Sequence, residues 1–300
     1  MTLSVVECPS GFAFRPRKFS GRIMAQMAAK ADVDDLSSIV ASCCVEVVDP
    51  GPYALGEKDG LPNWKRVITG DLAVAFVRIR QLSIPASYDG DLFQWKIRCP
   101  NAECLDEVKD AKTGAVRMVR HELFWRVMLS ELPVVPLSAE ARDLVKRGNR
   151  SFLGKLLDDR RFTFKLPTDE DGSVIRKLVR EHGIALQDVQ AGRLNEALRP
   201  FAMAACVTSI EGVEAHALAN EVLDLDPWSQ ADIQAQIGKS DGGFDTFKGR
   251  CDRDACATEF DLALPFSPQL LMSLSSTELR AKPKPSSEEP RGSSTTASPG

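Results

Sequence analysis

The sequence predicts an α+β protein of mostly short helices and small antiparallel strands, stapled by a two-knuckle, four-cysteine zinc site. Three observations carry this. Short runs such as Arg161-Phe162-Thr163-Phe164-Lys165-Leu166 alternate with the period of a half-buried strand. Starts such as Asp226-Pro227 place an N-cap carboxylate before a proline at the first helical position. A motif of the form aromatic-Lys-x-Arg-Cys-x4-Cys occurs twice: Trp95-Lys96-Ile97-Arg98-Cys99 with Cys104, and Phe247-Lys248-Gly249-Arg250-Cys251 with Cys256.

Along the chain, Phe12 and Phe14 share one face of an edge strand or hairpin arm. Residues 22–30 have helical composition. A second helix starts at Asp34 or Asp35 and runs through Leu36, Ile39 and Val40. Pro50-Gly51-Pro52 interrupts regular structure. Gly70-Asp71 reads as the next start, with Asp71 as cap, Leu72, Val74, Ala75, Phe76, Ile79 and Leu82 as the apolar stripe, and Arg78 and Arg80 turned away from it. A Pro/Gly-containing loop then leads to a strand that enters Cys99.

Between the knuckles lie 146 residues, enough for a core of their own. The strand at 161–166 is followed by a helix over 173–181 that Gly183 stops. The Ala-rich run from Leu194 to Val207 reads as a buried helix broken or kinked at Pro200. After Glu211-Gly212, Val213, Ala217, Leu218 and Val222 share a face. The Asp226-Pro227 helix closes at Gly238. A strand through Phe260, Leu262 and Leu264 leaves the second knuckle. From about Ala281 the chain turns to Lys, Pro, Ser and Glu with almost no apolar residues, which predicts a disordered tail over 281–300. The expected organisation is an N-terminal strand and helix region at 1–90, a zinc-stapled body at 91–270 with knuckles near 95–108 and 247–264, and that tail.

Composition limits the functional classes. A net charge of −4 and a pI near 5.6 provide no basic field for nucleic acid or anionic lipid. The opening Met1-Thr2-Leu3-Ser4-Val5-Val6-Glu7-Cys8 lacks the regions of a secretory signal, and no apolar run is long enough to span a bilayer. A cytosolic location follows, where eight cysteines point to metal for any well-spaced set and away from disulfides. Cys8, Cys43, Cys44 and Cys206 sit among apolar residues and read as small buried hydrophobes.

Cys99, Cys104, Cys251 and Cys256 remain as the metal ligands. The alternative is four core cysteines with no metal. Asn101 and Glu103 in one loop, and Asp252, Arg253 and Asp254 in the other, suit a surface knuckle better. Four thiolates leave no open position, so the zinc (one per chain) is expected to be structural, with Arg98 and Arg250 placed to offset its negative charge. Closing the intervening loop costs about 4 kcal/mol, against zinc binding free energies of about 10–16 kcal/mol.

Catalytic signatures are missing: no Walker loop, dinucleotide fingerprint, His-Glu-x-x-His or nucleophile elbow is present. His121, His182 and His216 lie on separate elements, the last within a helix, and read as surface or satisfied structural residues. Asp158-Asp159-Arg160-Arg161 reads as a solvated turn at a helix end. Arg176, Lys177 and Arg180 form a small basic face beside Asp169, Glu170 and Asp171.

The order of these features resembles the T4-type phage baseplate hub family and related tail-assembly proteins of contractile phages. Cys8-Pro9-Ser10-Gly11-Phe12 with Arg15-Pro16 is similar to the family's opening strand. Gly70-Asp71 through Arg78-Ile79-Arg80 resembles its Gly-Asp helix with an Arg-x-Arg end. The two cysteine pairs, Ile210-Glu211-Gly212 between them, and the finish Leu262-Ala263-Leu264-Pro265-Phe266-Ser267-Pro268 fall in the same order. The match spans roughly residues 5 to 270, with 106–120 and 133–150 expanded and no counterpart for the tail.

The resemblance implies a non-enzymatic phage baseplate hub or tail-assembly protein. It implies action through contacts with other hub or tail proteins in the host cytoplasm during assembly, with the virion baseplate as a final location. No membrane, nucleic acid or small-molecule substrate is implied. The rival reading is a cytosolic zinc-ribbon protein binding nucleic acid through Lys96, Arg98, Lys248 and Arg250, against which the acidic chain and sparse stacking aromatics count. A third reading, an enzyme with a cysteine nucleophile, lacks a local Cys/His arrangement.

Overall fold

A computed structural model of the chain describes residues 5–21, 23, 36–84, 91–110, 113–184 and 194–262. The expected helix at 22–30, the caps Asp34 and Asp35, most of the loop before the first knuckle, Leu264 and the 281–300 tail lie outside or almost wholly outside the described residues. Helices and small antiparallel sheets are mixed throughout, an α+β architecture.

The first unit is a three-stranded antiparallel sheet in the order β1 (Val6–Glu7), β2 (Ala13–Pro16), β3 (Cys44–Asp49). Helix α1 (Leu36–Cys43) runs straight into β3, and a 3-10 turn spans Trp64–Arg66. Phe12 and Phe14 are both buried, and Trp64 meets them edge-on with ring centroids 5.7 and 6.0 Å away. Packed against them is α2 (Thr69–Ser83), whose Leu72, Val74, Ala75, Phe76, Val77 and Ile79 are all buried. This helix is covered nearly all round, so its basic residues do not both face solvent. Arg80 is buried, and its Nη2 donates to the Leu92 carbonyl at 3.3 Å.

Asp71 is not the cap of α2. The helix starts two residues earlier, with Ile68 as N-cap, and Thr69 N–H bonds the Pro167 carbonyl at 2.8 Å. Asp71 lies inside the first turn, turned into the protein, where the Ser10 N–H (3.0 Å), the Ser10 hydroxyl and the Tyr53 hydroxyl (2.6 Å) all donate to it. A long-range demand for a buried acceptor has overridden the local capping preference.

A long two-stranded ribbon follows. Strand β4 (Leu92–Arg98) continues beyond the first knuckle as β5 (Leu105–Lys109), and the return arm is β6 (Val116–Arg120) and β7 (Glu122–Met128). Antiparallel pairing runs Leu92↔Met128 to Arg98↔Glu122, then Leu105↔Arg120 to Lys109↔Val116. The return arm is interrupted only at His121. Along β7, Leu123, Trp125 and Val127 turn inward and Glu122, Phe124, Arg126 and Met128 outward, the period of a half-covered strand.

The chain then adds β8 (Val134–Val135) and α3 (Ala139–Lys146), capped by Ser138, whose Oγ accepts from Ala141 N–H at 3.1 Å. A second antiparallel sheet is built from β9 (Phe152–Lys155), β10 (Arg161–Phe164) and, after α4 (Asp171–Glu181) and α5 (Leu194–Cys206), β11 (Val207–Ile210), with β10 central. Helix α5 runs unbroken through Pro200. Two more helices, α6 (Leu218–Asp224) and α7 (Pro227–Ser240), complete the unit. Phe162, Phe164, Leu166, Val222 and Ile233 form its dry centre, each worth about 1.5–3 kcal/mol of burial.

Asp226 caps α7 as its sequence predicts, accepting from Trp228 N–H at 2.9 Å and Ser229 N–H at 3.1 Å. The helix outruns Gly238 to Ser240, because Ile237 is still packed in the core at that point. Asp158-Asp159-Arg160-Arg161 is a turn between β9 and β10, not a helix end, and Arg160 reaches Glu221 on α6 at 2.7 Å. His216 lies in an exposed turn ahead of α6, where it pairs with Glu214 at 3.2 Å.

The chain returns through β12 (Gly243–Phe244), which pairs with β8, and finishes in the hairpin β13 (Phe247–Arg250) and β14 (Glu259–Leu262). Each knuckle is therefore entered by a strand, as the repeated motif requires.

Candidate metal centre

Knuckle one, residues 99–104, sits opposite a single residue of the return arm. Cys99 N–H donates to the His121 carbonyl and His121 N–H donates to the Cys104 carbonyl, both at 2.9 Å. Six residues facing one is a large bulge in an otherwise continuous ribbon. Inside it, Asn101 accepts Glu103 N–H on its side chain (3.0 Å) and Cys104 N–H on its carbonyl (3.2 Å), which closes the turn and points both sulfurs to one side. Knuckle two is shaped likewise: Cys251 N–H meets the Thr258 carbonyl at 2.9 Å, and the Arg253 carbonyl accepts from Cys256 (3.0 Å) and Ala257 (2.8 Å).

The two knuckles face each other. Cys99 Sγ lies 3.7 Å from Cys256 Sγ, Cys104 Sγ lies 3.8 Å from Cys251 Sγ, and all four sulfurs fall within 4.8 Å of one another. A disulfide requires about 2.0 Å, so these thiols are not paired covalently. Four sulfurs about 2.3 Å from a central ion at tetrahedral angles stand about 3.8 Å apart. The observed spacing is compatible with such a site, brought together from segments 147 and 157 residues apart.

Cys99, Cys104 and Cys251 are buried and Cys256 is partly exposed, while Glu103, Asp252 and Asp254 around them face solvent. The Thr258 hydroxyl, 3.1 Å from the Cys256 sulfur, and the Thr258 amide favour the thiolate and bring Cys256 down to about 6. Burial pushes Cys104 up to about 12 and Cys99 upward as well. Four adjacent sulfurs cannot all carry charge without a cation, and a divalent ion removes that conflict by taking all four as thiolates.

Beneath the sulfurs a small apolar floor joins the hairpins. Leu123 is buried against Cys99, Cys104 and Cys251, and Trp125 stacks near Phe247 (6.3 Å) and meets Phe260 at a steep angle (6.2 Å). Gly249 explains the small residue in the second motif: a Cβ there would lie 2.7 Å from Leu262 and 2.8 Å from Phe260.

A polar clasp, which the motif did not reveal, lies beside the sulfurs. His121 Nδ1 is 2.8 Å from Asp106 Oδ2 and its Nε2 is 2.6 Å from Asp252 Oδ1. Asp252, then Asp106, hold the imidazole above its ordinary range, and the ring bridges the hairpins through both nitrogens. Arg253 closes the ring by pairing with Asp106 and donating to the Leu105 carbonyl at 2.7 Å. Asn101 Nδ2 reaches across to the Cys256 sulfur at 3.5 Å. Of the arginines expected to offset the thiolates, Arg98 instead pairs with Glu122 at 3.5 Å. No spacing in the sequence marks His121 for this bridging role.

Cys8, Cys43 and Cys206 are buried and Cys44 partly so, all away from this cluster. Among the described residues no helix is long and apolar enough to cross a membrane. Comparison with known proteins finds no matching family model, no similar curated protein and no similar solved structure.

Proposed function

We propose that this chain is a non-enzymatic baseplate hub or tail-assembly protein of a contractile phage or phage-derived particle, working through protein–protein contacts and held together by one structural zinc. The observation that carries the reading is the four-sulfur cluster across two distant hairpins. Such a donor set occupies every position of a tetrahedral ion, which suits a staple and leaves no place for substrate. Zinc is the ion of choice for four thiolates around one centre, with iron the principal competitor for sulfur-only sites. The family assignment itself is supported by the order of the sequence motifs described above.

Two of the four basic residues of the rival nucleic-acid reading have acidic neighbours. Lys248 is matched by Asp261 at 2.6 Å and Arg98 by Glu122 at 3.5 Å, so these basic residues stand beside carboxylates of their own sheets. Weak DNA or RNA binding even at low salt is expected, and a steep salt-dependent affinity would restore the rival.

The test of the assembly role is to raise antibodies against the chain and probe purified contractile-tail particles and their assembly intermediates. Presence at a fixed ratio to tube or hub proteins in either fraction supports the reading. Absence from both, with the protein abundant and free in the same cells, contradicts it.

A further inference from the structure

A second group of ionisable side chains lies outside the four-cysteine cluster, at the junction between the two large cores. Tyr53 packs against both cores, and its hydroxyl donates to Asp71 while accepting from Ile68 N–H at 3.3 Å. The start of α2 and the residues after α7 touch here without side chains between them. A Cβ on Gly70 would lie 1.8 Å from the Gly242 carbonyl oxygen and 3.1 Å from Asp241 Oδ1. Asp71 is buried on one side of the junction, and on the other side Asp241 is half-buried with its Oδ1 enclosed.

Their surroundings differ. Asp71 receives three donors, Ser10 N–H, Ser10 Oγ–H and Tyr53 O–H. Asp241 Oδ1 is buried with no hydrogen-bond partner among the described residues. A buried carboxylate with donors can keep its charge, whereas one without donors, beside a like charge, is far more stable as the neutral acid. The other ionisable groups around Asp241 are Cys206, itself raised to about 12 chiefly by burial, and beyond it Lys165, which is engaged by Asp171. Among the described residues, Asp71 is the neighbouring charge that acts on Asp241, and no cation offsets it.

We propose that Asp71 and Asp241, with the enclosed Asp241 Oδ1 facing the junction, form an acid pair that retains a proton at neutral pH and locks the two cores together at the Gly70–Gly242 contact, and that deprotonating Asp241 loosens this junction. Burial first, then the charge of Asp71, raises Asp241 to about 8. Burial also raises Asp71, partly countered by its three hydrogen bonds. The sign follows from linkage. A carboxyl whose folded pKa lies above its unfolded value binds a proton more tightly when folded. Its stabilising contribution is complete below about pH 4 and is lost progressively up to about pH 8, beyond which the dependence levels off.

The experiment compares the full metal-loaded chain with Asp241→Asn, which keeps the shape of the neutral acid. Denaturant midpoints are measured from about pH 6 to about pH 9. Relative to the variant, the wild-type folding constant should fall about tenfold per pH unit until about pH 8 and then level. A wild-type-to-variant difference that is constant with pH overturns the proposal. As a measurement that does not depend on the variant folding, the Asp241 carboxyl carbon in wild-type protein is followed by NMR through its assigned Cβ. Titration in the mildly alkaline range supports the lock. Titration near pH 4 with ordinary carboxylates refutes it.

Discussion

His121 Nε2 lies 2.6 Å from Asp252 Oδ1, and through that contact a residue of the first hairpin grips the loop that carries two sulfurs of the second. The same histidine uses its backbone N–H and carbonyl to hold both ends of the opposite knuckle. One residue thereby contacts both halves of the four-cysteine cluster.

Replacing that imidazole should therefore weaken the site without unfolding the protein. His121→Ala keeps the backbone bonds to Cys99 and Cys104 but severs the links to Asp106 and Asp252. Loss of such an outer partner typically lowers metal affinity about 10–100-fold. Competition with a chromophoric chelator measures this, and an unchanged affinity would show that the clasp is incidental.

Gly70→Ala should be among the most damaging single-atom additions in the chain. The new methyl would meet the Gly242 carbonyl oxygen at 1.8 Å, backbone against backbone, with no flexible side chain to move aside. Overpacking of this kind costs about 3 kcal/mol or more. Chemical denaturation checks it, and a loss below about 1 kcal/mol would mean that the two cores meet less closely than described.

In the second core, Phe162 is almost fully covered between Phe164 and the α7 side of the sheet. Phe162→Ala should destabilise the protein by about 3–5 kcal/mol through lost transfer energy and a residual cavity. Because Phe162 has no part in the cysteine floor, the folded fraction should retain a normal metal content. Parallel melting and elemental analysis separate the two effects.

Asp226 gives a pH-dependent counterpart at the acid end. The Ser229 hydroxyl and the Ser229 and Trp228 amides hold its carboxyl below the ordinary carboxylate range. A depressed folded pKa contributes stability above the unfolded value of 3.8, and that contribution disappears as pH falls through the folded value. Asp226→Ala should lower the midpoint at neutral pH, and the gap from wild type should close in strong acid. A gap independent of pH would argue against the cap.

Elements whose signals are local were legible in the sequence. The Asp226-Pro227 start, the alternating 161–164 strand and the strands into both cysteine pairs all declare themselves within a few residues. The ribbon arm at 116–128 was not, although Leu123, Trp125 and Val127 alternate, because the exposed faces carry Val116, Met118 and Phe124 and blur the polar half of the pattern. Asp71 was misread for the opposite reason: its local context fits a cap, but its partners Ser10 and Tyr53 come from elsewhere in the chain. The repeated motif brought out the four sulfurs, while His121, Asp106 and Thr258 carry no spacing that marks them. Residues that serve a site through tertiary contact leave little trace in a linear pattern.

The most direct test of the central claim is metal content. Wild-type protein purified without added metal, beside Cys251→Ser, is analysed for zinc and iron per chain and melted in parallel. The account predicts about one zinc per chain in the wild type, lost in the variant together with much of the stability that joins the two hairpins. Well-folded wild-type protein holding neither zinc nor another ion at the four sulfurs would contradict it.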